Sequence, residues 1–354
     1  MEKQSDSTYT RTMSHLHDDT CPPVAVIILN WNGEKLLREY LPQVIANTNA
    51  DLARIIVVDN GSTDVSRQIL SDEFPQVETI HFDENHGYAE GYNLALGKTA
   101  YPLTVLLNSD VAPAKGWIEA LYSYMQQHPG VGACQPKILS YSEPDKFEYA
   151  GACGGFIDRN GYPYCRGRIF ADCEIDNGQY DQAIEVFWAT GAALMVRTDI
   201  YLKVDGLDSR FFAHMEEIDL CWRILLEGYK IMAVPSSVVY HLGGGSLPAS
   251  NPRKTYLNFR NNLLMLHKNL PDASRGCKLL WRRLLDALAW AKFIVTFDFA
   301  NAAAIVRAHR DFAKMRTAYT KHPAVDLLKT RPDTRRNILV DYYLRSRRKF
   351  SELK

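Results

Sequence analysis

Three groups of residues in this 354-residue chain carry the side chains that chemistry needs. The first is Asn108-Ser109-Asp110, where the apolar run Leu103-Thr104-Val105-Leu106-Leu107 stops in an amide, a hydroxyl and a carboxylate. A hard divalent cation such as Mg²⁺ or Mn²⁺ takes oxygen ligands, commonly one or two carboxylates with phosphate oxygens and water completing the shell. Asp110 supplies one such ligand, although turn chemistry after a strand explains the same triplet without a metal. The second group is Glu216-Glu217-Ile218-Asp219. A helix dipole favours acids in a first turn, but crowded carboxylates also repel, which raises one pKa and suits a group that must take a proton. The third is His241, followed by the glycine-rich stretch Gly243-Gly244-Gly245, where backbone can come close to a metal or phosphate.

The elements that must position these groups read as alternating strands and helices. Val24-Ala25-Val26-Ile27-Ile28-Leu29 is an apolar run of the kind found in strands covered on both faces, and it ends at Asn30-Trp31-Asn32-Gly33. Leu36, Leu37, Tyr40, Leu41, Val44 and Ile45 then recur three and four apart, which predicts a helix. Ile55-Ile56-Val57-Val58 is a second strand, ending in Asp59-Asn60-Gly61-Ser62-Thr63-Asp64. This alternation predicts an α/β fold with a mostly parallel sheet, whose strand-end loops share one rim, the place where open α/β sheets bind ligands. A third strand, Val77–Phe82, leads to Gly87 and Gly91, which permit close backbone approach, with Asn93 in the following helix.

Further along, Trp117–Met125 predicts a helix, Val131 resumes the sheet, and residues 140–185 read as a long excursion with short strands over the site. Phe187–Arg197 predicts a strand in which Gly191 marks a close approach, with a helix starting at Thr198. Ile231–Val234 and Val238–Tyr240 read as two more strands. Between Gly91 and Gly97-Lys98-Thr99 five residues stand where a phosphate-binding loop needs four, and no G-x-G-x-x-G follows the first strand. Both nucleotide fingerprints are thereby excluded.

Seven cysteines without a C-x-x-C pair argue against a disulfide scaffold or zinc site and fit a reducing compartment. Met1–Asp19 is polar and lacks the apolar core of a secretory signal, so residues 1–21 are expected as a disordered leader on a cytoplasmic protein. Net charge is zero, yet Ile305–Lys354 holds 14 Lys and Arg against 5 Asp and Glu. Charges at Arg282, Arg283, Asp286, Lys292 and Asp298 interrupt the aromatic and leucine-rich Leu279–Phe299 stretch, which excludes a membrane-crossing helix. Two uses remain for this helical, basic part: packing on the catalytic domain or on a second subunit of a homo-oligomer, and peripheral contact with the inner face of the cell membrane. No nucleic-acid partner is expected.

Taken in order, Ile28-Leu29-Asn30-Trp31-Asn32-Gly33, Val58-Asp59-Asn60-Gly61-Ser62-Thr63-Asp64, Asn85-His86-Gly87-Tyr88 with Asn93, Leu107-Asn108-Ser109-Asp110, Glu216-Glu217-x-Asp219-Leu220, His241 and Tyr256-Leu257-Asn258-Phe259-Arg260-Asn261 resemble the family 2 glycosyltransferases. Within them the chain looks most like rhamnosyltransferases of bacterial cell-surface polysaccharide assembly. The resemblance covers residues 22–270 and leaves 271–354 as a helical extension. It implies a GT-A fold, Rossmann-like, and an inverting transfer from a dTDP- or UDP-sugar to a glycan or lipid-linked acceptor with Mg²⁺ or Mn²⁺. It further implies that Asn30 and Asp59 contact the nucleoside, and that Gly61, Gly87, Asn93, Gly191 and Arg260 border the donor. Asn108 stands where many relatives have the first Asp of a D-x-D motif, so a ribose or water-mediated role is implied for it. Asp110 and His241 are the implied metal contacts. Glu217 occupies the position of the catalytic base, with Glu216 and Asp219 beside it and Asp219 as the fallback. A nucleotidyltransferase would carry a glycine-rich loop with Arg and Lys after the first strand, which Asn30-Trp31-Asn32-Gly33 lacks. A non-catalytic nucleotide-sugar binding protein of the same fold is the alternative that donor turnover separates.

Overall fold

The structure, a computed structural model, describes residues 22–243 and 251–353; the leader expected over 1–21 and the glycine-rich stretch from Gly244 lie outside the described residues. In chain order it runs β1 Val24–Asn30, α1 Glu34–Asn47, β2 Ala53–Asn60, α2 Ser66–Glu73, β3 Glu78–Phe82, α3 Gly87–Gly97, β4 Leu103–Leu107, β5 Val111–Pro113, α4 Trp117–Gln127 and β6 Val131–Ser140. Four short strands follow: β7 Gly155–Ile157, β8 Pro163–Cys165, β9 Arg168–Ile169 and β10 Asp172–Cys173. Then come β11 Ile184–Val186, β12 Ala193–Arg197, α5 Thr198–Lys203, α6 Glu216–Leu226 and β13 Lys230–His241, and finally α7 Pro252–Asn269, α8 Asp272–Val295 and α9 Phe299–Met315.

One sheet takes the order β11-β13-β6-β12-β4-β1-β2-β3, with β5 on β13. The strands β4, β1, β2 and β3 are mutually parallel, and their register sets Asn30 beside Asp59 and Ile28 beside Leu107. β12 runs antiparallel to both β4 and β6, and β6 and β13 are again parallel. The sheet is therefore mixed and mostly parallel. Its two faces explain the unbroken apolar runs, because successive residues of a strand point to opposite sides. Val24, Val26 and Ile28 pack with Leu37 and Leu41 of α1 and Trp117 and Leu121 of α4, whereas Ala25 and Ile27 join the core that holds Tyr92, Trp222 and Leu263.

Two expectations need correction. The apolar stretch from Phe187 is a strand only from Ala193; Trp188 bridges to Gly155 in the excursion, and Gly191 lies in the intervening turn. The two strands expected within 231–240 are one, β13, whose register shifts between Val234 and Val238, around Pro235, a residue with no N–H to give a ladder. The excursion forms a four-stranded sheet, β10-β9-β8-β7. The C-terminal part divides in two. Arg282 of α8 bonds Asn262 of α7, while the segment after α9 returns to the small sheet, with the Ile338 amide on Asp158 and Phe350 against Phe156 and Tyr180. Among the described residues no helix is long and apolar enough to cross a membrane.

Candidate active site

At the carboxyl ends of β1 and β2 the loops lock to each other. Ser62 Oγ accepts from the Asn32 amide, Asn32 Oδ1 accepts from the Thr63 amide at 2.7 Å, and Asp64 accepts from the Glu34 amide that opens α1. Gly61 is required here: its φ is +72°, and a Cβ would meet the Glu84 backbone at 2.4 Å. Asn30 and Asp59, neighbours in register, are fully buried, and each keeps one side-chain oxygen, Oδ1, without a hydrogen-bond partner. A buried acceptor without a donor costs stability, so the pair is suited to N–H or O–H donors of a ligand. The other Asp59 oxygen is held by Arg67 Nε at 2.5 Å. Asn60 fixes the next loop, accepting from the His86 amide and donating to the Gly87 carbonyl.

Asp110 follows β4, and His241 ends β13, so both reach the same edge of the sheet. His241 Nε2 stands 3.1 Å from Asp110 Oδ1. Its Nδ1 approaches Glu148 Oε2 at 3.2 Å, at an angle that leaves Nδ1 without a hydrogen bond. Burial works against the imidazolium, yet the two carboxylates outweigh it and push His241 up to about 10. Burial likewise opposes ionisation of Asp110, and the hydrogen bond from His241 overcomes it, holding Asp110 below the usual carboxylate range. Among the described residues no three His, Cys, Asp or Glu side chains form a metal cage. One carboxylate and one imidazole, with Glu148 behind the ring, nevertheless fit a cation that displaces the proton of the His241 imidazolium and draws its remaining ligands from a diphosphate and water. Glu148 carries no flanking signal in the sequence.

The third cluster depends on an unusual loop. Phe212, His214 and Met215 all have positive φ, at 66°, 69° and 75°, immediately before α6. Such backbone costs on the order of 1–3 kcal/mol per residue and persists only where surroundings enforce it. Asn261 enforces it by donating to the carbonyls of Phe211, Ala213 and His214, and Arg260 donates to those of Arg210 and Phe211. Arg260, expected at the donor, is instead buried and spends its guanidinium on this loop. Asn93 is a similar correction: it bonds Tyr201 Oη and both the amide and carbonyl of Leu207.

The three acids that this loop delivers differ sharply. Asp219 is fully buried, with Arg223, Lys268 and Asn269 on its oxygens; burial opposes its charge, but these partners prevail and lower it to about 2. It is an ion-paired anchor between α6 and α7, not a free base. Glu216 is pushed well above the usual range by burial and by the neighbouring Glu217 charge, so it keeps its proton. Burial raises Glu217 to about 6, and its Oε2 has no partner. Tyr88 donates to the Gly191 carbonyl at 2.9 Å, and a Cβ on Gly191 would sit 2.7 Å from the Tyr88 oxygen and 3.7 Å from Glu217 Cβ. The close approach expected at Gly191 is therefore made by Tyr88 and Glu217. The Asn108 amide bonds the Ala192 carbonyl, which ties the β4 end to this turn.

Residues 25–180 match the family model described as glycosyl transferase family 2. An N-acetylglucosaminyl-diphospho-decaprenol L-rhamnosyltransferase of Mycobacterium tuberculosis is 27% identical over 240 residues, which are 63% of this chain and 76% of the relative. Among solved structures, GalNAc-T7 with UDP, GalNAc and Mn²⁺ superposes with a TM-score of 0.55 at 15% identity, covering 72% of this chain and about half (49%) of that one. S. aureus TarS 1-349 in complex with UDP-GlcNAc gives 0.53 at 16% identity, covering 82% and 80%. Sheet order and these superpositions show a GT-A fold, in which residues 25–180 carry the match to the glycosyl transferase family 2 model.

Proposed function

We propose that the chain is an inverting, metal-assisted glycosyltransferase that moves a sugar, rhamnose being the favoured one, from a dTDP- or UDP-sugar to a glycan or lipid-linked acceptor. The acceptor hydroxyl oxygen forms the new bond to the anomeric carbon as its proton passes to Glu217. The bond from that carbon to the phosphate oxygen breaks, and its electron pair leaves with the nucleoside diphosphate. Asn30 and Asp59 would receive the nucleoside. Asp110 and His241 would hold a divalent cation, which supplies charge neutralisation at the leaving diphosphate. Retention by double displacement needs a second, nucleophilic carboxylate beside the anomeric carbon. Glu216 keeps its proton and Asp219 is ion-paired, so neither is suited to that role.

The observation that carries this reading is Glu217: it and Glu216 both keep an unpartnered Oε2, but Glu217 is the one that titrates at about 6, and it lies beside Gly191, whose turn is bonded to the β4 end. The name of the rhamnosyltransferase relative supports a lipid diphosphate acceptor, which would meet the enzyme at a cytoplasmic membrane surface. The test is a screen of dTDP- and UDP-sugars with lipid diphosphate acceptors, with and without chelator, and with the product anomer read by NMR. Transfer with inversion that stops on chelation is expected. Donor binding with neither transfer nor hydrolysis would leave the non-catalytic binding protein, and retention would exclude the single-base mechanism.

A further inference from the structure

Helix α8 buries one face, with Leu279, Arg282 and Asp286 turned inward, and leaves the other bare. Leu280, Leu284, Leu288 and Val295, with Trp281 beside them, recur at helical spacing and are all exposed, Leu288 by 69% and Val295 by 75%. The stripe runs into the turn between α8 and α9, where Phe297 adopts φ 58° and projects with Phe299, ring against ring at 6.2 Å; Phe297 is 79% exposed. Contiguous apolar surface of this kind on a folded protein marks an interaction site.

The charges around it are of one sign. From Leu280 to Arg316 every exposed charged side chain is a cation: Arg283, Lys292, Arg307, Arg310, Lys314 and Arg316. Of the three acids of that stretch, Asp286 is buried and engaged by Arg282 and His309, and the half-buried Asp298 and Asp311 are engaged by Asn301 and by Tyr256 and Arg310. Beside the turn, an open groove of about 560 Å³ is lined by Pro252 at the start of α7 and by Ala300, Ala303, Val306, Arg307 and Arg310 of α9.

From this we infer that the α8–α9 hairpin docks the protein on an anionic lipid bilayer, with Phe297 and Phe299 entering the interface, α8 lying along it, and the cations meeting lipid phosphates. A second copy of the chain would set cations against cations across a two-fold axis, whereas an anionic bilayer complements both the apolar stripe and the charge. The biological purpose rests on the lipid-linked acceptor reading, but binding is measured without donor or acceptor, so the two fail separately.

The test is co-sedimentation of the full chain with vesicles of equal phosphatidylglycerol and phosphatidylcholine, and with pure phosphatidylcholine, at low and high salt. Binding to the anionic vesicles, weakened by salt, is expected. Lys292→Ala and Arg307→Ala should each weaken it about five-fold, and the pair Phe297→Ser with Phe299→Ser more than ten-fold. All four positions are exposed, and circular dichroism checks that the variants are folded. No binding at low salt, equal binding to both vesicles, or binding unchanged by these substitutions overturns the inference. So does light scattering that shows a dimer which the phenylalanine pair dissociates.

Discussion

Glu217→Gln separates the chemical use of this carboxylate from its cost to the fold. A carboxyl whose folded pKa is about 6, against an ordinary 4.5, is harder to ionise in the protein than in the unfolded chain. Its charge therefore destabilises the native state at every pH above the folded value, and the penalty fades as pH falls toward 4.5. At 1.36 kcal/mol per unit the penalty at pH 7.5 is up to about 2 kcal/mol, and it shrinks below about 1 kcal/mol at pH 5. Glutamine keeps the size and removes the charge, so the variant should be more stable than wild type at pH 7.5, by an amount that narrows in acid. The same substitution removes the proton acceptor and should lower transfer by roughly 10²–10⁴ with donor affinity preserved. In wild type, kcat/KM should rise with pH through about 6 and flatten above it. Urea denaturation at the two pH values, calorimetry with donor nucleotide and initial rates from pH 5 to 8 check each part. A rate that is flat across pH 6, or a Gln variant less stable than wild type at pH 7.5, would refute the assignment of Glu217 as a half-buried, ionised base.

Asp110→Ala should lower transfer by roughly 10³-fold, the order expected when several kcal/mol of charge neutralisation are lost; activity that survives a chelator would remove the metal role. Asp59→Ala should weaken UDP and dTDP binding by about 1–3 kcal/mol in calorimetry, because a base N–H would lose its acceptor. Asp219→Asn should cost about 2–3 kcal/mol at neutral pH. Its carboxyl is lowered from 3.8 to about 2, so its stabilisation is present above pH 3.8 and lost as pH falls through 2. Denaturation that shows no loss would mean that Lys268 and Arg223 do not depend on it. Gly191→Ala should reduce activity, since the new methyl would press on the Tyr88 hydroxyl at 2.7 Å; an unchanged kcat would show that this contact yields freely.

Much of the fold was legible because an inner parallel strand such as β1 serves two cores and so is apolar throughout Val24-Ala25-Val26-Ile27-Ile28, and because it ends in a polar loop. The reading failed where an apolar run had another use. Trp188 reaches back to Gly155 and donates its indole N–H to Phe156, so Phe187–Ala192 belongs to a cross-connection and not to the strand that follows. At the site, position was legible and partnership was not. Adjacent acids in one short stretch of sequence acquire different charge states: Asp219 ionised by Lys268 and Asn269 about fifty positions away, Glu216 protonated, and Glu217 titrating near neutrality. Arg260 and Asn261, whose types suggest substrate contacts, hold the strained backbone that aims those acids. Period and spacing report which face a residue takes, whereas the ionisation of a buried group is set by whatever the tertiary fold brings against it. In this cluster long-range contacts take Asp219 out of play and leave both glutamates unpaired, so the proposed base is the one whose burial stops short of holding its proton at neutral pH, Glu217.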